Sequence, residues 1–183
     1  MHRILIQGPQ GCGKGTQAAI LSERLGVPHL SMGQLLREAA KHDPVISSYT
    51  DRGELVPDEV VQRVLAQRLA QPDCKDGYIL DAFPRSESQY KIAEMTVSPT
   101  AVIVIDVPVE ISLDRMRSRA RIEKRDDDTP EAMRRRLEIY EEETKPVIEK
   151  YRSQGLVREV DGRGSIEDVA DRIYGVCSAQ GGC

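Results

Sequence analysis

The sequence predicts an α/β domain built on a central parallel five-stranded sheet flanked by helices. Three observations predict it. Five short apolar runs recur along the chain: RILIQ (3–7), VPHLSM (27–32), GYILDAF (77–83), TAVIVIDVP (100–108) and LVREVDG (156–162). Helix-like segments follow them, and strands alternating with helices build parallel βαβ units. The run Ala101–Val107 has almost no polar alternation, as expected of a strand covered on both faces.

The chain has 183 residues, enough for one domain (1–183) with a sizeable core, and shows no repeat or low-complexity linker. Apolar residues at 39% and charged residues at 31% describe an ordinary soluble protein, and no stretch approaches the ~20 apolar residues of a membrane span. The first apolar run passes straight into a glycine loop, so no signal peptide is expected and the expected location is cytoplasmic. A net charge of -4 argues against broad nucleic-acid binding. Cys12, Cys74, Cys177 and Cys183 form no CxxC pair, which excludes a zinc clip of the usual spacing and gives no reason to expect disulfides. Cys12, inside the loop, reads first as a small side chain.

After the first strand a helix is expected from Lys14 to about Leu25. Residues 33–71 read as consecutive helices, with turns at HDP (42–44) and GELVPDE (53–59), a helical insertion between two strands. In the segment after Val107, Arg115 and Arg119 lie one turn apart, opposite an apolar stripe of Val109, Leu113, Met116 and Ala120. Ala120–Thr129 is short and highly charged. Thr129 and Pro130 then make a good helix start, with the acidic run before them favourable at the helix dipole. The following helix carries a stripe of Met133, Leu137, Tyr140, Thr144, Val147, Ile148 and Tyr151. Arg135 points away from that stripe and Arg134 and Arg136 flank it. Pro146 should kink or loosen the helix. Arg115, Arg117, Arg119, Arg121 and Arg125, with Arg134 to Arg136 close behind, form either a solvated charged surface or a focus for a small anion.

GPQGCGKGTQ (8–17) sits between a strand and a helix, the context in which a glycine motif becomes a phosphate site. Gly8, Gly11, Gly13 and Gly15 let successive backbone N–H groups face one anion. The helix N-terminus adds partial positive charge and Lys14 a full one. The fold class is therefore that of the P-loop nucleotide-binding proteins, and magnesium accompanies the nucleotide. Asp81, after three apolar positions in YILDAFPR, either caps the next turn or serves that metal; beside the phosphate loop the metal role is preferred. The hydroxyl that usually follows the lysine arrives one place late, at Thr16.

That loop, ending Gly-Lys-Gly-Thr, resembles the loop of adenylate kinases and related nucleoside monophosphate kinases. LSMGQLLR (30–37), GELVPDE (53–59), DAFPRSESQ (81–89), DVPVEISLDRMRSR (106–119), RDDDTPEAMRRRL (125–137) and VDGRG (160–164) resemble further segments of that family, in order. The resemblance implies a monophosphate-binding insertion at 31–60, a short lid at 119–129 and a core of 1–30, 61–118 and 130–183. It implies that Gly11, Cys12, Gly13, Lys14, Gly15 and Thr16 cradle the ATP phosphates. Thr16 and Asp81 would serve magnesium, in part through water. Arg115 would stack on the ATP adenine and Gly164 would touch it through backbone. Ser31, Met32 and Arg37 would line the AMP site, with Glu54, Leu55 and Val56 flanking its adenine. Ala82, Phe83, Pro84 and Arg85 would border the AMP phosphate, and Gln89, an amide with both donor and acceptor, would read the adenine edge. Arg119, Arg125 and Arg136 would converge with Lys14 and Arg85 on the transferring group.

The implied reaction is Mg-ATP plus AMP giving two ADP, by a monomer that needs no nucleic acid or membrane partner. The short lid leaves no room for the zinc-bearing segment of longer relatives. Met32, Gln34 and Ala82 stand where that family commonly has Thr, Asp and Gly. Two alternatives stand beside this expectation: a UMP/CMP or other monophosphate kinase, and a catalytically weak nucleotide-binding regulator.

Overall fold

The computed structural model describes residues 2–123 and 129–178, without the side chains of 119–123. Five strands, β1 (His2–Gln7), β2 (His29–Ser31), β3 (Gly77–Asp81), β4 (Ala101–Asp106) and β5 (Val157–Asp161), form one parallel sheet in the order β2-β3-β1-β4-β5. Helices α1 (Lys14–Leu25), α2 (Met32–Ala40), α3 (Pro44–Asp51), α4 (Asp58–Leu69), α5 (Glu87–Thr96), α6 (Val109–Glu123), α7 (Pro130–Ile139), α8 (Lys145–Ser153) and α9 (Ile166–Ser178) make the connections. The five strands, the helical stretch after β2 and the α/β class follow the sequence expectation.

Side chains alternate across a strand, so each strand feeds two cores. Leu5, Tyr78, Leu80, Val102 and Val104 face one side, packed with Leu65, Ile92, Val147, Ile148 and Tyr151 from α4, α5 and α8. Ile4, Ile6, Ile79, Ile103 and Ile105 face the other, against Ala18 and Leu21 of α1 and Val169 and Ile173 of α9. Burial on both faces is why these strands show no polar alternation. Ile46, Val56 and Val61 of the α2–α4 stretch join the first core, so the insertion is anchored by apolar packing.

Local signals set the helix ends. Gly26 takes a left-handed conformation after α1 and its N–H bonds back to Ser22. The side chains of Asp43, Ser86 and Thr129 accept the capping bonds of α3, α5 and α7, Thr129 as expected. A π-helical turn at Tyr140–Thr144 separates α7 from α8, with the Lys145 N–H bonded to the Tyr140 carbonyl. It lies just before Pro146, where loosening was expected, because proline has no N–H for the regular ladder.

Three expectations are corrected. On α6 Met116 is buried as expected, but Ser112 shares its line while Val109 is exposed and Leu113 half-buried, because the helix packs beneath the glycine loop; the Ala120 side chain lies outside the described residues. Arg115 therefore faces that loop rather than away from the packed side. Of the stripe after Thr129, Met133, Thr144, Val147, Ile148 and Tyr151 are buried as expected, whereas Leu137 and Tyr140 are only half-buried and Ala132 and Ile139 turn inward, because the π turn shifts the helical phase between α7 and α8. Arg135 does not simply point to solvent but pairs with Glu54 across the cleft. The helical backbone of α6 runs on to Glu123, which leaves the expected lid at 119–129 neither supported nor contradicted.

Candidate active site

The carboxyl ends of the strands define the site. β1 is flanked by β3 and β4, so the chain leaves the sheet centre in both directions there, a switch point that opens a crevice. Register sets Ile6 and Ser31 on either side of Asp81.

Around that crevice the glycine loop is shaped by close approach. Gly11 has φ +85°, and a Cβ there would meet the Ser112 carbonyl at 2.3 Å and Met116 at 2.9 Å. Any side chain would lift the loop from α6. Cys12 is buried in the core beneath, as its small-side-chain expectation requires. Lys14 Nζ lies 2.8 Å from both the Gly8 and the Pro9 carbonyl oxygens, curled over the loop. Thr16 is exposed in the first turn of α1. Arg115 ties the loop to the end of β5, donating to the Cys12 carbonyl at 3.0 Å and the Gly162 carbonyl at 3.1 Å. Both ends of the guanidinium are held, which leaves its flat face as a stacking surface. Gly164, with φ +107°, follows in the loop after β5, which Arg172 holds through the Asp161 and Arg163 carbonyls.

Asp81 ends β3 with 4% exposure, its Oδ2 2.6 Å from His29 Nε2. The same oxygen lies 3.9 Å from where a Gly15 Cβ would stand, so the carboxylate faces the first turn of α1. Among the described residues no three His, Cys, Asp or Glu side chains cluster into a metal cage. A single carboxylate and a hydroxyl, both hard oxygen donors beside a phosphate loop, fit magnesium, which takes its other ligands from phosphates and water.

Ala82 follows with φ +63°, and the chain turns through a cis Phe83–Pro84 bond to Arg85. Gln7 Nε2 donates to the Pro84 carbonyl at 2.9 Å, Thr144 Oγ1 to the Arg85 carbonyl at 2.9 Å, and the Arg85 N–H to Gln89 Oε1 at 3.0 Å. The Arg85 side chain bonds the Ala82 carbonyl through Nε at 2.9 Å. Burial, then the like charges of Arg136 and Arg37, push its guanidinium down to about 10, against the pull of Asp81. Cationic side chains packed this close describe a place for an anion.

A cleft between the α2–α4 stretch and α7 is lined by Met32, Arg37, Glu54, Leu55, Val56, Ala82, Arg85, Gln89 and Arg136. An adjoining hollow brings Lys14 and Gly8 together with Ala82, Arg85 and Arg136. The two groups expected on either side of the transferring phosphate therefore meet. Ser31 lies at the end of β2 outside this lining, Phe83 is fully buried in the core, and Pro84 turns its carbonyl to Gln7. Arg125 and the Arg119 side chain lie outside the described residues.

Several contributors were missed by sequence reasoning. Gln7, His29, Thr50 and Thr144 touch expected site residues, and Gln10 lines both the cleft and the hollow. A polar residue at the carboxyl end of an apolar strand, as at Gln7, was an available signal; His29 opens β2 and carried no such mark. α7 also docks on the insertion: Arg135 Nε reaches Glu54 Oε1 at 3.1 Å and Arg136 donates to the Thr50 carbonyl at 3.2 Å. A Cβ on Gly53 would stand 2.6 Å from the Ala132 carbonyl.

A family model described as adenylate kinase matches residues 6–156. An adenylate kinase of Bifidobacterium longum is 42% identical over 180 residues, 93% of this chain and 97% of its own length. Adenylate kinases of Micrococcus luteus and Leptospira biflexa are 41% and 38% identical, over 99% and 94% of this chain and 95% and 98% of their own.

Proposed function

The chain belongs to the adenylate kinase family and is a phosphotransferase, and we propose that the cleft joins ATP to AMP, with magnesium, to give two ADP. The observation that supports this most is the hollow in which Lys14, Arg85 and Arg136 share one wall.

On this reading Gly11 to Thr16 hold the ATP phosphates through backbone N–H groups and Lys14. Arg115 and Gly164 receive the ATP base. Arg37 and Arg85 bind the AMP phosphate, with Arg136 between the two nucleotides and Arg119 and Arg125 added from the lid. Met32, Glu54 to Val56 and Gln89 surround the AMP base. The Gln89 amide is oriented by the Arg85 N–H, which leaves its NH2 end directed by elimination toward an acceptor such as adenine N1. Magnesium would be held by Asp81 and Thr16 and would add positive charge on the phosphates.

The attacking AMP phosphate oxygen is already anionic near neutral pH, so no general base is needed. The protein contributes in-line placement and charge spread over the transferring group. Closing of the insertion and the lid excludes water, which would otherwise compete as acceptor. A cytoplasmic monomer acting without nucleic acid or membrane completes the proposal; among the described residues no helix is long and apolar enough to cross a membrane.

A coupled assay of ADP formation with ATP and AMP, then with CMP, UMP and GMP, tests the reading. AMP should be the preferred acceptor. Preference for a pyrimidine would overturn the role of Gln89, and nucleotide binding without turnover would leave a regulator.

A further inference from the structure

The α7–α8 helix meets Arg85 twice, and a regular α-helix could not do so as well. Arg136 lines the same hollow as Arg85, and Thr144, eight positions later, donates Oγ1 to the Arg85 carbonyl at 2.9 Å. At ~100° per residue, eight steps of α-helix would set these side chains about 80° apart. The turn at Tyr140–Thr144 absorbs one extra residue through its Lys145-to-Tyr140 bond. Seven effective steps bring the two within about 20° of one another.

The bond itself is unusual for a helical threonine. Such a hydroxyl ordinarily returns to a carbonyl of its own preceding turn, whereas Thr144 reaches another element. It is 3% exposed, where a valine of the same outline would pack without a hydroxyl to desolvate. Its partner needs anchoring, because the Arg85 guanidinium lies beside Arg37 and Arg136, whose like charges push it away. Thr144 on the carbonyl, Gln89 on the N–H and Gln7 on the preceding carbonyl fix the Arg85 backbone from three directions.

We propose that the π-helical turn is a positioning device for the monophosphate site, in which Thr144 holds Arg85 in phase with Arg136. This rests on the assignment of Arg85 to the AMP phosphate made above. Thr144 borders the same hollow, but its hydroxyl proton is committed to the Arg85 carbonyl, so its assigned role runs through Arg85.

The test compares Thr144→Val, Thr144→Ser and Arg85→Ala by calorimetric titration with AMP alone, by steady-state kinetics toward each nucleotide, and by thermal midpoint. Thr144→Val should weaken AMP binding and kcat/KM for AMP roughly tenfold, the scale of one misplaced charge-bearing contact. KM for ATP should stay within about twofold, and Thr144→Ser, which keeps the donor, should restore AMP binding to within about threefold. Unchanged AMP binding in Thr144→Val overturns the proposal. So does an equal loss toward ATP and AMP, which marks a merely structural role, or a serine variant as weak as the valine one. If Arg85→Ala binds AMP like the parent, the phosphate assignment itself fails. If Arg85→Ala is crippled and Thr144→Val is not, the positioning role alone falls.

Discussion

Replacing Gly53 by alanine should damage AMP handling far more than ATP handling, and the geometry sets the size of the effect. Gly53 has φ +72°, where an alanine costs about 1 kcal/mol or somewhat more. The added Cβ would stand 2.6 Å from the Ala132 carbonyl oxygen and 3.1 Å from its Cα, all backbone of α7. Relief requires the insertion to withdraw from α7 by most of an ångström. That movement stretches the Arg135–Glu54 pair and the bond from Arg136 to the Thr50 carbonyl. A displacement of about 1 Å at a reacting group costs on the order of a hundredfold, so kcat/KM for AMP should fall between about ten- and a hundredfold. Gly26→Ala is the control, since Gly26 has φ +67° with nothing within 4 Å of its Cβ position. It should lose a similar ~1 kcal/mol of stability from strain alone and keep its kinetics. Steady-state assays varying AMP at saturating ATP, and the reverse, read the outcome. A Gly53→Ala enzyme whose AMP kinetics match those of Gly26→Ala would refute the idea that docking on α7 shapes the AMP site.

AMP at one hundred times its dissociation constant should add about 2.7 kcal/mol of stability, a rise of roughly 5–11 °C in Tm for a chain of this size. Arg85→Ala should abolish most of that rise, and a variant protected as well as the parent would remove Arg85 from the phosphate site. Gln34 is exposed on α2, where the family commonly has Asp; if a carboxylate there supports the water shell of the proposed magnesium, Gln34→Asp should raise the rate at low magnesium, and an unchanged magnesium dependence would show that the neutral amide loses nothing. The Asp161 carboxyl is held down to about 2, chiefly by hydrogen bonds from the Arg163 side chain and backbone. Its folded value lies below the unfolded value near 3.9, so its contribution is present above about pH 4 and lost as pH falls toward 2. Denaturation of Asp161→Asn across that window should show the gap to the parent closing, and a gap that persists at pH 2 would contradict it.

The fold was legible because its strands are buried on both faces, which leaves continuous apolar runs that no amphipathic helix imitates. Most of the cleft lining was legible through the glycine loop, DAFPR and GELVPDE, each a local signature of backbone shape. Where periodicity was extrapolated, it failed for a physical cause. Val109 was assigned to the packed stripe of α6, yet the buried position is polar Ser112, because the contact there is the glycine loop's backbone rather than an apolar layer. Leu137 was assigned to the α7 stripe because a period of 3.6 was carried across residues 140–144, and a π turn leaves no mark in the hydrophobic pattern. His29 with Asp81 and Arg135 with Glu54 are separated by 52 and 81 positions, and nothing local announces such pairs.

The docking of α7 on the insertion is weak in energy, and weakness suits turnover. The Arg135–Glu54 pair has both side chains more than a third exposed, a setting worth roughly 0.2–1 kcal/mol. The bond from Arg136 to the Thr50 carbonyl adds about 0.5–1.5 kcal/mol net. These two contacts together favour the docked arrangement by about 3- to 60-fold, at 1.4 kcal/mol per tenfold. A gap of that size leaves an undocked fraction large enough for AMP to enter and ADP to leave. It is also small enough for the free energy of one bound nucleotide to close, since a ligand shifts such an equilibrium by its differential affinity for the two states. A stronger latch, such as a fully buried pair, would hold the cleft shut without substrate and slow release. The glycine at position 53 achieves close approach through shape and adds no attraction of its own, which keeps the contact tight when formed and inexpensive to break.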